Sequence, residues 1–366
     1  MFQDFYNVIL SSVLIWYLLI FHIWECSHDF LMYFSFENNE ILQTAAFICI
    51  TSTISAVTAL PLSIYKTFIL EEKHGFNKQT PVFFVKDWLK SYLLTIVIVP
   101  SLSCIAVYIV KIGGDYFFVY LWLFAMVTML FFMTVYADYI APLFDTYTPL
   151  PDGDLRTKIE GLAASIKFPL YKLYLVEGSK RSVHSNAYFY GFFNNKRIVL
   201  FDTLVKDYYK SEEKNDNDDK KGCDTEEVLA ILAHELGHWK HNHVLKQILI
   251  MQFCAFGFLF QYPQLYQAFG FVNEKPVIVG LIVVLQFIFS PYNSVMSFLL
   301  IILSRKYEFQ ADRFAKSLGK AKFLKKALIK LGKDNLSFPV YDWLYSSWHH
   351  SHPTLLQRLK HLDKED

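Results

Sequence analysis

Long apolar runs separated by short polar intervals dominate the chain. Six of them approach the roughly 20 residues a helix needs to cross a bilayer: residues 8–25, 41–64, 93–110, 118–139, 244–262 and 277–303. The last is long enough to tilt or to leave the membrane still helical. Pro61, Pro100 and Pro291 lie in or near these runs. Proline breaks a soluble helix, but neighbouring helices repair the lost hydrogen bonds inside a membrane bundle. The first run ends in ECSHDF, a poor cleavage site for a signal peptide, so it reads as a retained anchor.

The pattern changes between residues 141 and 242. DLRTKIEGLAASIKF has helical spacing, LYKLYLVEG alternates like a strand, and HSNAYFYG and KRIVLFDTLV read as two strands joined by an FNNK turn. Residues 211–224 are polar and free of aromatics, which predicts a mobile insert. TEEVLAILAHELGHWKHNHVLKQ follows as a long helix, capped by Asp224 or Thr225 and continuing toward the fifth apolar run. Two amphipathic helices, LGKAKFLKKALIKL and HPTLLQRLKHL, occupy the end of the chain. The organisation predicted is four spans in residues 1–140, a water-exposed part in 141–243, two further spans in 244–304 and a second water-exposed part in 305–366.

Composition agrees with a membrane body. The chain is 54% hydrophobic and 18% aromatic, and its 19% of charged residues falls below the usual share of about 25%. A net charge of +1 and the lack of phosphate-binding glycine loops give no sign of a nucleic-acid partner. The lysine pattern orients the spans. Residues 66–90 carry Lys66, Lys73, Lys78, Lys86 and Lys90, residues 28–40 carry no lysine or arginine, and residues 263–276 carry only Lys275. Six crossings then put both termini, the 66–90 loop and the large middle region on the cytoplasmic side. Cys26, Cys49, Cys104, Cys223 and Cys254 form no CxxC pair and are odd in number, so they read as small buried residues and not as a disulfide framework.

The chemistry concentrates in ILAHELGHWKHNHV, residues 231–244. A spacing of four puts His234 and His238 on one helical face, where two imidazoles can bind one Zn²⁺. Glu235 beside them is suited to act as general base on water, the H-E-x-x-H pattern of zinc peptidases. His241 and His243 fall outside this pairing and read as solvated or lipid-boundary residues. A catalytic zinc takes a third protein ligand, and Glu308 in SRKYEFQADRFAKSLG is the candidate. Asp312, four residues on, is suited to hold the spare ring nitrogen of a ligating histidine. Two like charges at that spacing repel, so a shared cation explains them more easily. WHHSHPTLLQRL offers His349, His350 and His352 as donors to an oxyanion, and spacing does not choose among them. HSNAYFYGF suits a strand that pairs with an extended peptide, in which Asn186 holds a substrate amide or simply turns the chain into the strand.

FILEEKHGFNKQT, KRSVHSNAYFYGFFNNKRIVLFDTL, EEVLAILAHELGHWK, YEFQADRFAKSLG and SHPTLLQRLKHL, in that order, resemble the blocks of the zinc-dependent CAAX prenyl protease 1 family. The resemblance covers nearly the whole chain. It implies a multi-pass α-helical membrane protein, a helical barrel around an internal chamber with a zincin-like α+β metalloprotease domain. It implies one Zn²⁺ per chain held by His234, His238 and Glu308, with Glu235 as general base, Asp312 supporting a ligand, and Asn186 and His352 facing the substrate.

The implied reaction removes the last three residues from farnesylated or geranylgeranylated CAAX proteins. The implied location is the endoplasmic reticulum membrane or the continuous inner nuclear membrane, with the site opening toward the cytoplasm. The family has seven spanning helices against the six counted here, and the chain's start resembles the region before the family's second helix, so its first helix reads as absent. SHPTLL carries threonine where many relatives have a second proline. Two other readings are a membrane quality-control zinc peptidase that needs no prenyl group, and a catalytically silent scaffold. Glu235 counts against the scaffold, because a purely structural metal site has no need of a base.

Overall fold

In a computed structural model of the chain, the described residues are 19–36, 38–191, 195–208, 221–268 and 276–364. Their contacts divide the chain into two units. One comprises Met1–His74, Gln79–Met129 and Gln252–Tyr292; the other comprises Gly75–Lys78, Leu130–Met251 and Asn293–Asp366.

Four helical stretches among the described residues are long and apolar enough to cross a membrane: Glu40–Glu71, Pro81–Ile112, Gly114–Leu143 and His243–Gln264. No more than 11% of each apolar window is buried. Val85, Val97, Val127 and Phe253 therefore point outward. Apolar surface this continuous is unsustainable in water and ordinary in lipid. The chain is a multi-pass α-helical membrane protein.

The first three stretches contain α2 (Glu40–Tyr65), α3 (Pro81–Ile112) and α4 (Phe117–Val135), and α1 (Leu19–Met32) precedes them. Helices α2 and α3 continue through Pro61 and Pro100. Most of the first apolar run, 8–25, lies outside the described residues. Helix α1 begins at its end.

The sixth run is broken, against the expectation of one long helix. A short α-helix, α8 (Val277–Ile282), passes through a π-helical turn, Val283–Ile288, and a new helix starts at Ser290. The two parts qualify as a span only together, as a bent pair. Phe289 N–H donates five residues back to the Val284 carbonyl at 3.0 Å. Pro291 then falls in the first turn of the new helix, where its missing N–H costs nothing.

In the same unit Phe47, Val107 and Val279 are wholly buried, and Tyr262 packs edge-to-face on Phe117. Glu40 accepts from Lys111 at 2.6 Å and from the Val277 N–H at 3.0 Å, which satisfies a helix N-terminus. All five cysteines are free; Cys223 is buried, as expected, but Cys26 is exposed.

The second unit is α+β. Its sheet has strands β1 (Tyr147–Pro149), β2 (Leu170–Val176), β3 (Ala187–Tyr190) and β4 (Lys196–Phe201) in the order β1-β2-β4-β3. Strands β2 and β4 run parallel, with Leu173 opposite Ile198. The outer strands are antiparallel to them. The FNNK turn falls partly on residues 192–194, outside the described residues, and most of the polar insert, 211–224, also lies outside them. Strand β1, in TYTPL, has too short a pattern to be read from the sequence.

Helices α5 (Asp154–Ser165) and α6 (Thr225–Lys240) pack with the sheet around Ile159, Ile198, Leu200, Leu232 and Leu236. Each of these side chains is at most 1% exposed and gains roughly 1.5–3 kcal/mol from leaving water. Asp224 and Glu227 cap α6 reciprocally, the Glu227 carboxylate accepting from Asp224 N–H at 3.0 Å.

Helix α6 does not continue into the next apolar run as expected. It stops at His241, Asn242 takes φ +52°, and α7 restarts at His243 (His243–Ala268). Asn242 N–H closes the old helix on Trp239 O at 2.9 Å, and its own carbonyl opens the new one to Lys246 N–H. Asparagine tolerates the left-handed conformation that other side chains resist. Asn242→Ala is expected to lower stability by about 1 kcal/mol, while Asn242→Gly stays close to wild type, as read by thermal unfolding in detergent.

Candidate active site

Every group of the site belongs to the second unit. Helix α6 crosses α9 (Ser290–Ser317) at Gly237. A Cβ there would lie 3.0 Å from Ala311 Cα and 3.2 Å from the Ala311 carbonyl oxygen. Ala230, Ala233, Ala311 and Ala315 are also fully buried. Small side chains let the two helices approach closely, and Glu308 and Asp312 come under His234 and His238.

One ligand atom each from His234, His238 and Glu308 fall within 4.8 Å of one another. The two Nε2 atoms are 3.2 Å apart. Glu308 Oε2 lies 3.4 Å from His234 Nε2, and Oε1 lies 3.3 Å from His238 Nε2. Glu308 is 4% exposed, and its Oε2 is a buried acceptor without a hydrogen bond. Two imidazole nitrogens and a carboxylate around one point form a donor set suited to a divalent cation such as zinc.

The other nitrogen of each histidine is also held. His234 Nδ1 faces Asp312 Oδ1 at 2.9 Å. Asp312 is wholly buried and receives a fork from Arg358, Nη2 to Oδ1 at 2.6 Å and Nε to Oδ2 at 3.0 Å. Arg358 Nη1 also lies 3.5 Å from Glu308 Oε2. Burial and the Arg358 charge oppose protonation of His234, but the Asp312 and Glu308 carboxylates beside it outweigh them and its pKa rises to about 9. Two buried carboxylates against one guanidinium leave a negative charge to balance, and buried charges persist only when paired. Without metal, a proton on His234 serves. A cation displaces it.

His238 is held by His243. Their Nδ1 atoms are 3.0 Å apart, His243 Nε2 is 2.8 Å from Gln310 Oε1, and the His243 ring stacks on Tyr307 at 4.0 Å. This overturns the reading of His243 as a solvated or lipid-boundary residue: it is 2% exposed. His241 is exposed, as its spacing implies.

Glu235 lines the cavity at this cluster, together with Ser185, Asn186 and His352, and with Leu204, Ile231, Leu324, Leu328 and Leu331 as an apolar wall. His352 Nε2 lies 3.4 Å from Glu308 Oε1. The rings of His349 and His350 pack on Tyr345 instead, which separates three histidines that spacing left equivalent. Asn186 precedes β3, an edge strand. Its Oδ1 accepts from Ala187 N–H at 2.8 Å, so the amide nitrogen is the donor it offers the cavity.

The approach to β3 is fastened at several points. Thr203 Oγ1 donates to His184 O, Ser185 Oγ donates to Thr203 O, and Phe201 N–H donates to Asn186 O. Val183 N–H donates to Phe76 O, Lys78 N–H donates to Arg181 O, and the His184 ring stacks on Phe76 at 4.4 Å.

Residues 149–366 match the model of peptidase family M48, and residues 1–146 match that of the CAAX prenyl protease N-terminal region with five membrane helices. The chain belongs to the CAAX prenyl protease 1 family of M48 peptidases. It is 53% identical to the human CAAX prenyl protease 1 homolog over 93% of this chain and 78% of that one. With the Taenia solium homolog it shares 48% identity over 99% of this chain and 82% of the relative. The crystal structure of S. mikatae Ste24p superposes with a TM-score of 0.87 at 38% identity, covering 99% of this chain and 84% of that one.

Sequence reasoning missed three members of this site's surroundings. Arg358 looked like a surface residue of an amphipathic helix. The like charges of Glu308 and Asp312 were its signal, since they called for a cation. His243 had no signal of its own, because only the reversal at Asn242 turns it back toward His238. Arg305, on α9 three residues before Glu308, gave none either, though its guanidinium meets the backbone carbonyls of Ser346, His350 and His352. His243→Ala is expected to weaken metal binding about 10–100-fold, the usual cost of losing a ligand's orienting partner. Competition with a chromophoric chelator measures this.

Proposed function

We propose that the chain is a zinc metalloendopeptidase that cuts prenylated CAAX proteins after the modified cysteine and releases the last three residues. The observation that carries this reading is the convergence of His234, His238 and Glu308 beside Glu235, in a chain of the CAAX prenyl protease 1 family. His234, His238 and Glu308 are the proposed ligands of one zinc, with Asp312 fixing His234. Zinc held there supplies Lewis acidity, polarising a carbonyl and bringing the pKa of water toward 7.

The chain's own groups do the rest. Glu235 takes the proton from the attacking water and passes it to the leaving amine. His352 donates from Nε2 to the oxygen that gains charge, and Asn186 donates its amide to the substrate backbone. Strand β3, at the sheet edge, is available to pair with an extended peptide. Each prenyl chain is a large apolar group that leaves water favourably, and the lipid-facing spans give the substrate its natural environment.

The proposed location is the endoplasmic reticulum membrane or the continuous inner nuclear membrane. The lysines of residues 66–90 and the lysine-poor intervals at 28–40 and 263–276 support a site that opens toward the cytoplasm.

Purified protein in detergent is expected to release the C-terminal tripeptide from a farnesylated CAAX peptide and to leave the unmodified peptide largely uncut. A zinc chelator abolishes release, and Glu235→Ala abolishes it while zinc stays bound. Equal cleavage of the unmodified peptide would favour a quality-control peptidase. Turnover that survives Glu235→Ala would remove this residue from the chemistry.

A further inference from the structure

His352 is poorly held by its own side chain. The side chain is 65% exposed, and among the described residues its ring nitrogens meet only Ser351 Oγ at 3.1 Å and Glu308 Oε1 at 3.4 Å. After α10 (Ala321–Asp334) come α11 (Trp343–His349) and α12 (Leu355–Asp363), and residues 350–354 between the last two are not helical. A donor to an oxyanion must nevertheless be fixed to within a fraction of an ångström. Something else has to hold this segment.

Arg305 does. It sits on α9 one turn before Glu308. Its Nη1 faces the carbonyl oxygens of Ser346 at 3.2 Å, His350 at 3.3 Å and His352 at 3.1 Å, and the Ser346 hydroxyl at 2.9 Å. Its Nη2 donates to Gln357 Oε1 at 2.9 Å. Gln357 in turn accepts from Thr354 N–H at 3.0 Å and so closes the capping box that starts α12. One planar guanidinium thus gathers the end of α11, the 350–352 loop and the start of α12. Lysine has no such rigid fork. Arg305 and Glu308 are three residues apart on the same helix, so the clamp and the carboxylate share one rigid element.

We propose that Arg305 is the positioning residue for His352, holding its backbone so that the ring stands over the reacting carbonyl. Arg305 acts through backbone carbonyls, the Ser346 hydroxyl and Gln357. The inference rests on the role given to His352 in the proposed function.

The test uses the full chain in detergent, with wild type, Arg305→Ala, Arg305→Lys, His352→Ala and the Arg305→Ala/His352→Ala double variant. On the farnesylated peptide, Arg305→Ala is expected to lower kcat about 10–100-fold with KM within about twofold and zinc content unchanged. The double variant is expected to fall within about threefold of His352→Ala, because Arg305 acts through His352. Arg305→Lys keeps the charge without the fork and recovers little of the lost kcat. Should Arg305→Ala fail to fold, Arg305→Lys carries the comparison in both single and double form.

A full further loss in the double variant, or full recovery by lysine, would overturn the proposal. A second readout does not depend on cleavage: in metal-free protein, amides of residues 343–354 are expected to exchange at least about tenfold faster in Arg305→Ala than in wild type. Unchanged exchange would overturn the clamp. Wild type that cuts no farnesylated peptide would sink the functional reading instead, while the exchange result still decides the clamp.

Discussion

The approach of α6 to α9 at Gly237 is the contact on which the site depends. A Cβ at Gly237 would press on the Ala311 backbone at 3.0–3.2 Å, and glycine removes that conflict. Ala230, Ala233 and Ala315 leave the neighbouring turns equally free. Because α6 offers His234 and His238 from one face and α9 offers Glu308 and Asp312 from one face, a single crossing brings all four side chains together. A bulkier residue at 237 would separate the helices and move the carboxylate away from both imidazoles, whatever the rest of the fold did.

The charges packed into that crossing explain why its groups are so thoroughly tied down. Glu308 and Asp312 are buried, and each needs a cationic partner to remain ionised there. Arg358 supplies one and forks onto Asp312. Asp312 in turn fixes His234, and His243 fixes His238 from the other side. The remaining negative charge sits at Glu308, whose Oε2 lacks a hydrogen-bond donor. A divalent cation answers that charge and both free imidazole nitrogens at once, and the same charge attracts a proton to His234 when no cation is bound.

Much of this was legible in the sequence because it follows from periodicity. The apolar runs from 41 to 262 became spans, and the alternating segments became β2, β3 and β4. His234, Glu235 and His238 share a helix whose spacing alone sets their geometry. What was illegible depends on chain reversals and on contacts distant in sequence. A single left-handed residue, Asn242, broke the predicted continuous helix and turned His243 inward. The π-helical turn ahead of Pro291 bent the last span. Strand β1 is three residues long and exists because β2 pairs with it. Arg305 and Arg358 are ordinary helix-surface residues by pattern, and only the packing of the chain's end beside α9 gives them partners.

In the proposed site two histidines and one glutamate hold a single zinc. Zinc K-edge absorption spectroscopy on the purified protein, with metal stoichiometry measured on the same sample, tests it most directly. One zinc per chain is expected, bound by nitrogen and oxygen donors only, with two imidazoles at about 2.0–2.1 Å. In Glu308→Ala the imidazole signal should persist with one oxygen fewer. A sulfur shell at about 2.3 Å, or a spectrum unchanged by the loss of Glu308, would contradict it.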